Sequence, residues 1–277
     1  MTALLVTAAA CGGGGGASGA DGSADPVHIH GLGVNPADSA LYVATHTGLF
    51  RMERGFDRIE RIGDRRQDTM GFTVVGPDHF LGSGHPDLRD GLPPLLGLIE
   101  SRDAGRSWEP VSLLGKADFH ALRTTGSLIH GYDASGERLM ESTDGGRTWT
   151  MTRPPGPVAD VVVDPDDPRH LVAAGEAGLM ESADGGRRWK PLHSPPGLLA
   201  WPRRDALYSL AFSGAVSVSR DGGSSWSALG ALPGEPAAVT VPDAQTLIVA
   251  LHDGRFVNSS DGGRTWEDGA WQEVASQ

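Results

Sequence analysis

One motif recurs at nearly constant spacing and constrains the fold more than any other feature of the chain. The pattern Ser-x-Asp-x-Gly-x-x-Trp begins at Ser101, Ser142, Ser182, Ser219 and Ser259. Successive copies therefore start 41, 40, 37 and 40 residues apart. Self-similarity at a fixed period indicates a repeat architecture, so the sequence predicts structural units of about 40 residues each.

The fourth unit shows the elements of one repeat. It contains apolar runs at 159–163 and 171–176, separated by Asp164-Pro165, and a third run at 178–182 that leads into its motif. Within the motif, Asp and Ser can hydrogen-bond nearby backbone groups and Gly can adopt positive φ, so the motif predicts a hairpin. Each unit thus predicts four short strands, which make one propeller blade.

A unit without the motif precedes these five. Strand-like segments at 28–34, 41–46 and 48–52 follow the same order. Residues 26–272 then divide into six units of about 41 residues, with nothing left for a seventh. The sequence therefore predicts an all-β fold, a six-bladed β-propeller of four-stranded antiparallel blades.

The motif resembles the Asp-box, or bacterial neuraminidase repeat. Over residues 26–272 the chain is similar to Asp-box propellers such as sialidases, sortilin-type receptors and photosystem II assembly factors. In those families the box joins the third and fourth strands, on the face away from the binding site. The resemblance implies structural roles for Asp103, Trp108, Asp144, Trp149, Asp184, Trp189, Asp221, Trp226, Asp261 and Trp266. Trp201 and Trp271 lie outside the motifs and are expected to contribute less to stability.

The N-terminus carries a short apolar run that ends in small residues before Cys11, which is the single cysteine and is followed by five glycines. This segment resembles the lipobox of bacterial lipoproteins. The resemblance implies a signal segment at 1–10, a lipidated Cys11 with a flexible linker over 11–25, and a propeller domain over 26–277. We therefore expect an extracytoplasmic protein anchored to the cell membrane by lipid.

Composition excludes several classes of function. The formal net charge of -12 argues against nucleic acid as a partner, because phosphate binding needs clustered Lys and Arg. The glycines at 12–16 lack the Lys and the helix of a phosphate-binding loop, and no nucleophile elbow is present.

We expect a monomer. An insertion at 86–97 in the second unit is either a lid or a plain loop.

Several histidines map to one end of the predicted channel. In a propeller, the starts of the first strands and the ends of the second strands share one mouth. The second strands end, at one common blade position, with His46, His85, Asp133, Glu176, Phe212 and His252. The first strands add His28 and His30, with Met70 and His120 close to the position of His30. We expect these side chains to converge on a binding site for a ligand, a metal ion or a partner protein; polar groups that only bind channel water are the alternative.

For a metal ion, the pattern His28-x-His30 places both rings on one side of a strand. A third imidazole could come from His46, His120 or His252, and His85 belongs to the same candidate set. Imidazoles with Met70 nearby suit copper or zinc better than calcium. The sequence therefore predicts a copper or zinc site as one use of the mouth.

The alternative function is glycoside hydrolysis, which needs two carboxylates about 5–10 Å apart. Asp133 and Glu176 belong to adjacent units, and Tyr132 lies beside Asp133. Residues 28–50 resemble bacterial propeller lipoproteins that open with His-Ile-His-Gly and are labelled glycosyl hydrolases. No Phe/Tyr-Arg-Ile-Pro motif occurs, which argues against a true sialidase. The sequence leaves a binding or scaffold module and a hydrolase as the two hypotheses.

Overall fold

The computed structural model describes residues 28–55, 58–192 and 194–269. Across these ranges the chain forms six four-stranded antiparallel sheets, and each sheet takes four consecutive strands in chain order. The predicted six-bladed β-propeller is therefore confirmed. The predicted signal segment, Cys11 and the linker lie outside the described residues. In the part of the chain that the structure describes, no helix is long and apolar enough to cross a membrane.

Each blade runs from the channel outwards in strand order. The first three blades contain β1 (Ile29–Val34), β2 (Leu41–Thr45), β3 (Gly48–Met52), β4 (Ile59–Arg61), β5 (Asp68–Gly76), β6 (His79–His85), β7 (Leu98–Ser101), β8 (Glu109–Ser112), β9 (Phe119–Thr125), β10 (Leu128–Asp133), β11 (Arg138–Ser142) and β12 (Thr150–Thr152). The last three contain β13 (Val158–Val163), β14 (Leu171–Gly175), β15 (Gly178–Ser182), β16 (Lys190–Pro191), β17 (Gly197–Arg203), β18 (Ala206–Ala211), β19 (Ala215–Ser219), β20 (Ser227–Ala231), β21 (Pro236–Thr240), β22 (Leu247–Leu251), β23 (Phe256–Ser259) and β24 (Glu267–Asp268).

The hydrophobic core lies between neighbouring blades. Strand alternation sends one set of side chains from each sheet toward the next sheet, and both sets are buried. The ring closes where Leu41 and Val43 of β2 pack in one cluster with Ile248 of β22. All three side chains are fully buried, and each contributes about 1.5–3 kcal/mol by leaving water. Because each described sheet is built from consecutive strands, this contact closes the ring by side-chain packing.

The repeated motifs form the turns between the third and fourth strands. In the copy that begins at Ser142, the Gly146 amide donates to Ser142 Oγ at 2.8 Å, and the Thr148 amide donates to Asp144 Oδ1 at 2.9 Å. Gly146 has φ +84°, and a Cβ there would lie 2.1 Å from Leu98 Cδ2 of the preceding blade. The glycine is therefore required by the turn and by the packing of one blade on the next.

The tryptophans differ from the expectation. The motif residue Trp149 is half-buried and its Nε1 donates to the Gly146 carbonyl at 3.0 Å. Trp201, outside the motifs, is only 8% exposed and packs with Val162 and Leu199. This burial argues against the expectation that Trp201 contributes less to stability, because its first-strand position places the ring between two blades. Trp271 lies outside the described residues.

The insertion at 86–97 connects β6 to β7 and is docked on its neighbours. Asp87 accepts a hydrogen bond from the Arg66 amide at 2.8 Å, and Asp90 pairs with Arg65 at 2.9 Å. The side chain of Leu88 at its tip is 99% exposed. The loop is thus fixed to the connection between the first two blades, at the same end of the propeller as the ends of the second strands.

Candidate metal-binding site

β-bulges place the side chains at one mouth of the channel. Near the start of the first strand, the register with the second strand shifts in five of the six described blades. A bulge turns an extra side chain out of the regular alternation. The residues in these bulges are His30, Met70, His120, Ala159 and Ala237, and all five line one cavity of about 180 Å³ on the channel axis.

Deeper in the channel, an ion pair forms part of the cavity wall. Arg123 Nη2 donates to Asp160 Oδ1 at 2.5 Å, and Asp160 Oδ2 accepts from the Leu199 amide at 2.9 Å. Burial raises the pKa of Asp160, although Arg123 and the backbone donors act in the opposite direction. The charged groups in this wall therefore already satisfy one another.

Three side chains form what we call the mouth cluster: His30, which lines this cavity, and His46 and Asp68, which contact His30 and each other. His30 belongs to β1, His46 follows β2, and Asp68 begins β5 of the next blade. His46 Nδ1 lies 2.7 Å from Asp68 Oδ2, and His30 Nε2 lies 3.7 Å from Asp68 Oδ1. The three ligand atoms lie within 4.8 Å of one another, and this is the one such group of three among the described residues.

His28 and His120 surround the mouth cluster. The ring of His28 packs edge-on against His46, with centroids 5.1 Å apart, and the ring of His30 does the same at 4.4 Å. Burial, followed by the nearby His46, lowers the pKa of His30 to about 4; His120 and His28 act in the same direction, and Asp68 opposes them. His30 is therefore a neutral imidazole at neutral pH.

Two buried atoms of the mouth cluster face each other without a partner. His30 Nε2 and Asp68 Oδ1 are inaccessible to solvent and have no hydrogen-bond partner among the described residues. A buried polar group left in this way costs about 1–3 kcal/mol. At 3.7 Å the two atoms are too far apart to share a hydrogen bond, but a cation between them would satisfy both.

The mouth cluster has dimensions close to those of a zinc site. Zinc–nitrogen distances of about 2.0–2.1 Å place tetrahedral ligand atoms about 3.3–3.4 Å apart. The separation of His30 from Asp68 is 3.7 Å, and that of His46 from Asp68 is 2.7 Å because His46 hydrogen-bonds the carboxylate. Forming a coordination shell requires the contact between His30 and Asp68 to shorten and the contact between His46 and Asp68 to lengthen.

A second cluster lies one blade further and contains His85, Asp118 and His120. His120 Nε2 lies 2.9 Å from Asp118 Oδ2, and His85 Nε2 lies 3.7 Å from the same oxygen. Met70 and His120 line the cavity together with His30. The structure thus gathers His28, His30, His46, His85, His120 and Met70 around one mouth in two groups.

His252 and Glu176 are placed elsewhere on the rim. His252 lies 3.9 Å from Glu235, and both side chains are more than half exposed. Glu176 is exposed in the turn after β14. Neither residue is among the described residues that line the cavity. Their position after a second strand therefore does not place Glu176 and His252 beside the mouth cluster.

Asp133 and Tyr132 are parts of the structural framework. Asp133 is buried; its Oδ1 accepts from the Asp118 amide at 3.0 Å and from Ser135 Oγ at 2.7 Å, and Arg138 binds its Oδ2. Burial raises the pKa of Asp133, but these hydrogen bonds outweigh burial and hold the pKa below its ordinary value. Tyr132 is buried in the core beside Val161. A glycosidase acid needs an accessible carboxyl with a raised pKa, so this geometry disfavours Asp133 in that role.

The sequence reasoning missed Asp68 and Asp118. Both residues stand two positions before a bulge residue, in Asp68-x-Met70 and Asp118-x-His120, as His28 stands before His30. This shared spacing was the signal that could have found them.

Comparisons with known proteins give the fold and no family. No family model matches the chain, and no curated protein matches it. The structure titled "YCF48 bound to D1 peptide" is 15% identical, with a TM-score of 0.57 over 88% of this chain and 82% of that one. The GH74 enzyme of Niastella koreensis is 15% identical, with a TM-score of 0.63 over 89% of this chain and 46% of that one. The GH74 xyloglucanase of Xanthomonas campestris is 19% identical, with a TM-score of 0.55 over 88% and 45%.

These likenesses show a β-propeller. At such identities they show the fold alone, and the chain spans less than half the length of the GH74 enzymes that it matches.

Proposed function

We propose that this chain is an extracytoplasmic, lipid-anchored binding propeller whose mouth cluster holds a zinc or copper ion. One observation carries the proposal. His30 Nε2 and Asp68 Oδ1 are buried, lack a hydrogen-bond partner among the described residues, and face each other at 3.7 Å, with His46 Nδ1 beside them.

The donor set selects the kind of ion. Two imidazoles and one carboxylate suit zinc and copper, whereas calcium takes six to eight oxygen ligands. Three protein ligands leave a fourth position open, and His30 of the mouth cluster also lines the cavity of about 180 Å³. An ion here would present its open position to a small ligand or to a side chain of a partner protein.

The lipid anchor rests on Cys11 and the glycines that follow it. A linker over 11–25 would let the propeller stand away from the membrane and present its mouth to the surroundings. The complex titled "YCF48 bound to D1 peptide" supports a binding role, since it shows that a propeller of this fold can hold a peptide. The hydrolase alternative has weaker support, because Asp133 is buried and its two oxygens already accept four hydrogen bonds from Asp118, Ser135 and Arg138.

The test is a zinc titration of the purified full-length chain, stripped with chelator and followed by calorimetry near neutral pH. His30→Gln and Asp68→Asn should each bind one zinc equivalent fewer than the wild-type chain. His252→Gln is the matched control, because it removes an exposed imidazole from the same rim and should leave the stoichiometry unchanged. Equal stoichiometry in the wild type and the mouth variants would show that the cluster binds no ion.

A further inference from the structure

We propose that a cavity between the fifth and sixth blades binds a small organic anion through its carboxylate or phosphate group. The cavity lies at the end of the propeller that carries the repeated turns, opposite the mouth cluster. The inference goes beyond the proposed function and needs no metal ion.

The cavity has a volume of about 380 Å³ and is walled by both blades. Three of its lining residues are arginines: Arg203 at the end of β17, Arg220 directly after β19, and Arg264 in the last repeated turn. Val218 and Leu229 give it an apolar side. A concave space of this size, with an apolar wall and a few charged groups, is typical of a site for a small ligand.

The three arginines make this cavity a local exception in a chain whose formal net charge is -12. Arg203 pairs with Asp205, and the two groups approach to 3.1 Å. The carboxylate of Asp261 is directed into its own turn, where Oδ1 accepts from the amides of Arg264 and Thr265 at 2.9 and 3.0 Å. The nearby carboxylates therefore offset only part of the positive charge, and an anion would complete it.

Backbone carbonyls hold the arginines in place. Arg203 Nη1 donates to the Ala244 carbonyl across the blade junction at 3.2 Å, and Arg220 Nη1 donates to the Asp205 carbonyl at 3.4 Å. Arg264 Nη1 donates to a carbonyl of its own turn. A guanidinium has five N–H donors, so each arginine keeps donors for a ligand. Paired N–H groups of this kind match the oxygens of carboxylates and phosphates.

Tyr208 adds a hydroxyl to the floor of the cavity. Its side chain is only 4% exposed and packs in the core between the two blades. A Cβ on Gly262 would lie 3.6 Å from Tyr208 Oη and 3.6 Å from Arg264 Nη1. The hydroxyl and the guanidinium therefore border one space that the glycine leaves open, and an oxygen of an anion placed there could accept from both.

The same turn in the third blade supplies a matched control. Arg147 occupies the position of Arg264, and its Nη1 donates to the Asp144 carbonyl at 2.8 Å in the same way. Arg147 is not among the described residues that line this cavity. Arg147→Gln therefore removes the same charge and the same local hydrogen bond as Arg264→Gln but leaves the cavity intact.

The experiment measures binding of succinate and of inorganic phosphate to the full-length chain, stripped with chelator, by calorimetry at constant ionic strength. We expect Arg220→Gln and Arg264→Gln each to weaken binding of the preferred anion about tenfold, because each loses charge-assisted hydrogen bonds. Arg147→Gln should bind as the wild type does. Tyr208→Phe keeps every charge and should also weaken binding. Thermal unfolding without anion checks that each variant is folded.

Three results would overturn the proposal. A folded wild-type chain that binds neither anion at millimolar concentration would exclude the site. Equal affinity in the wild type and in both cavity variants would place the binding elsewhere on the chain. Equal weakening in Arg147→Gln and Arg264→Gln would indicate a response to net charge alone. None of these results bears on the mouth cluster, because none of its three residues lines this cavity.

Discussion

Replacing His30 should remove a specific dependence of stability on pH. Burial and the neighbouring His46 lower the pKa of His30 in the folded protein to about 4, whereas an unfolded histidine titrates near 6.5. As pH falls below 6.5, His30 binds a proton in the unfolded chain, whereas in the folded protein it binds one only near pH 4. The free energy of unfolding therefore decreases through this window and is unaffected above it.

The size of the effect follows from the difference between the two pKa values. This difference in pKa corresponds to about 3 kcal/mol, and solvent screening of the partly exposed ring reduces the expected effect to about 2 kcal/mol between pH 7.5 and 4.5. The assay is urea unfolding followed by tryptophan fluorescence at both pH values, with chelator present. His30→Asn should lose less stability on acidification than the wild type by this amount. His252→Asn serves as the control and should behave as the wild type does.

Equal loss in His30→Asn and the wild type would refute the reasoning, because it would mean that folded and unfolded His30 bind protons alike. A direct NMR titration of the His30 ring distinguishes the causes of such a result. A ring that titrates near 6.5 in the folded protein would show that the mouth is more hydrated than its geometry indicates.

Further predictions concern the blade junctions and the anchor. Gly146→Ala should destabilise the fold by about 2–4 kcal/mol, because the new Cβ would clash with Leu98. The neighbouring Gly145→Ala should destabilise it by only about 1–2 kcal/mol, which is the cost of placing an alanine in the left-handed conformation. The midpoints of urea unfolding, at an unchanged dependence on urea concentration, measure both losses of stability. Equal losses in the two variants would exclude the clash with Leu98 as the cause. Cys11→Ser should move the protein from the membrane fraction to the soluble fraction on cell fractionation, since the acyl chains hold it. Unchanged membrane retention would contradict lipid anchoring at Cys11.

The fold could be predicted from the sequence because its strongest signal is local and repeated. Each motif needs only its own Ser, Asp and Gly to form its turn, and the spacing of the copies fixes the number of blades. The burial of Trp201 could not be predicted for the opposite reason. Its burial depends on packing between two blades, which no local pattern records.

The candidate site could be predicted only in part. The shared mouth followed from the antiparallel order of the strands, and that reasoning selected His30, His46, His85 and His120. The bulges could not be seen, because one extra residue changes which side chain faces the channel without changing the hydrophobic pattern. The burial of Asp133 could not be predicted either, because it depends on contacts with Arg138 and with the amide of Asp118.

Zinc anomalous diffraction from crystals of the full chain grown with zinc tests the central claim most directly. The claim predicts an anomalous peak bounded by His30 Nε2, His46 Nδ1 and a carboxylate oxygen of Asp68, at about 2.0–2.2 Å from each. The hydrogen bond now measured at 2.7 Å between His46 and Asp68 should be replaced by contacts to the ion. A map with no peak at these three atoms, and with that hydrogen bond intact, would contradict the account.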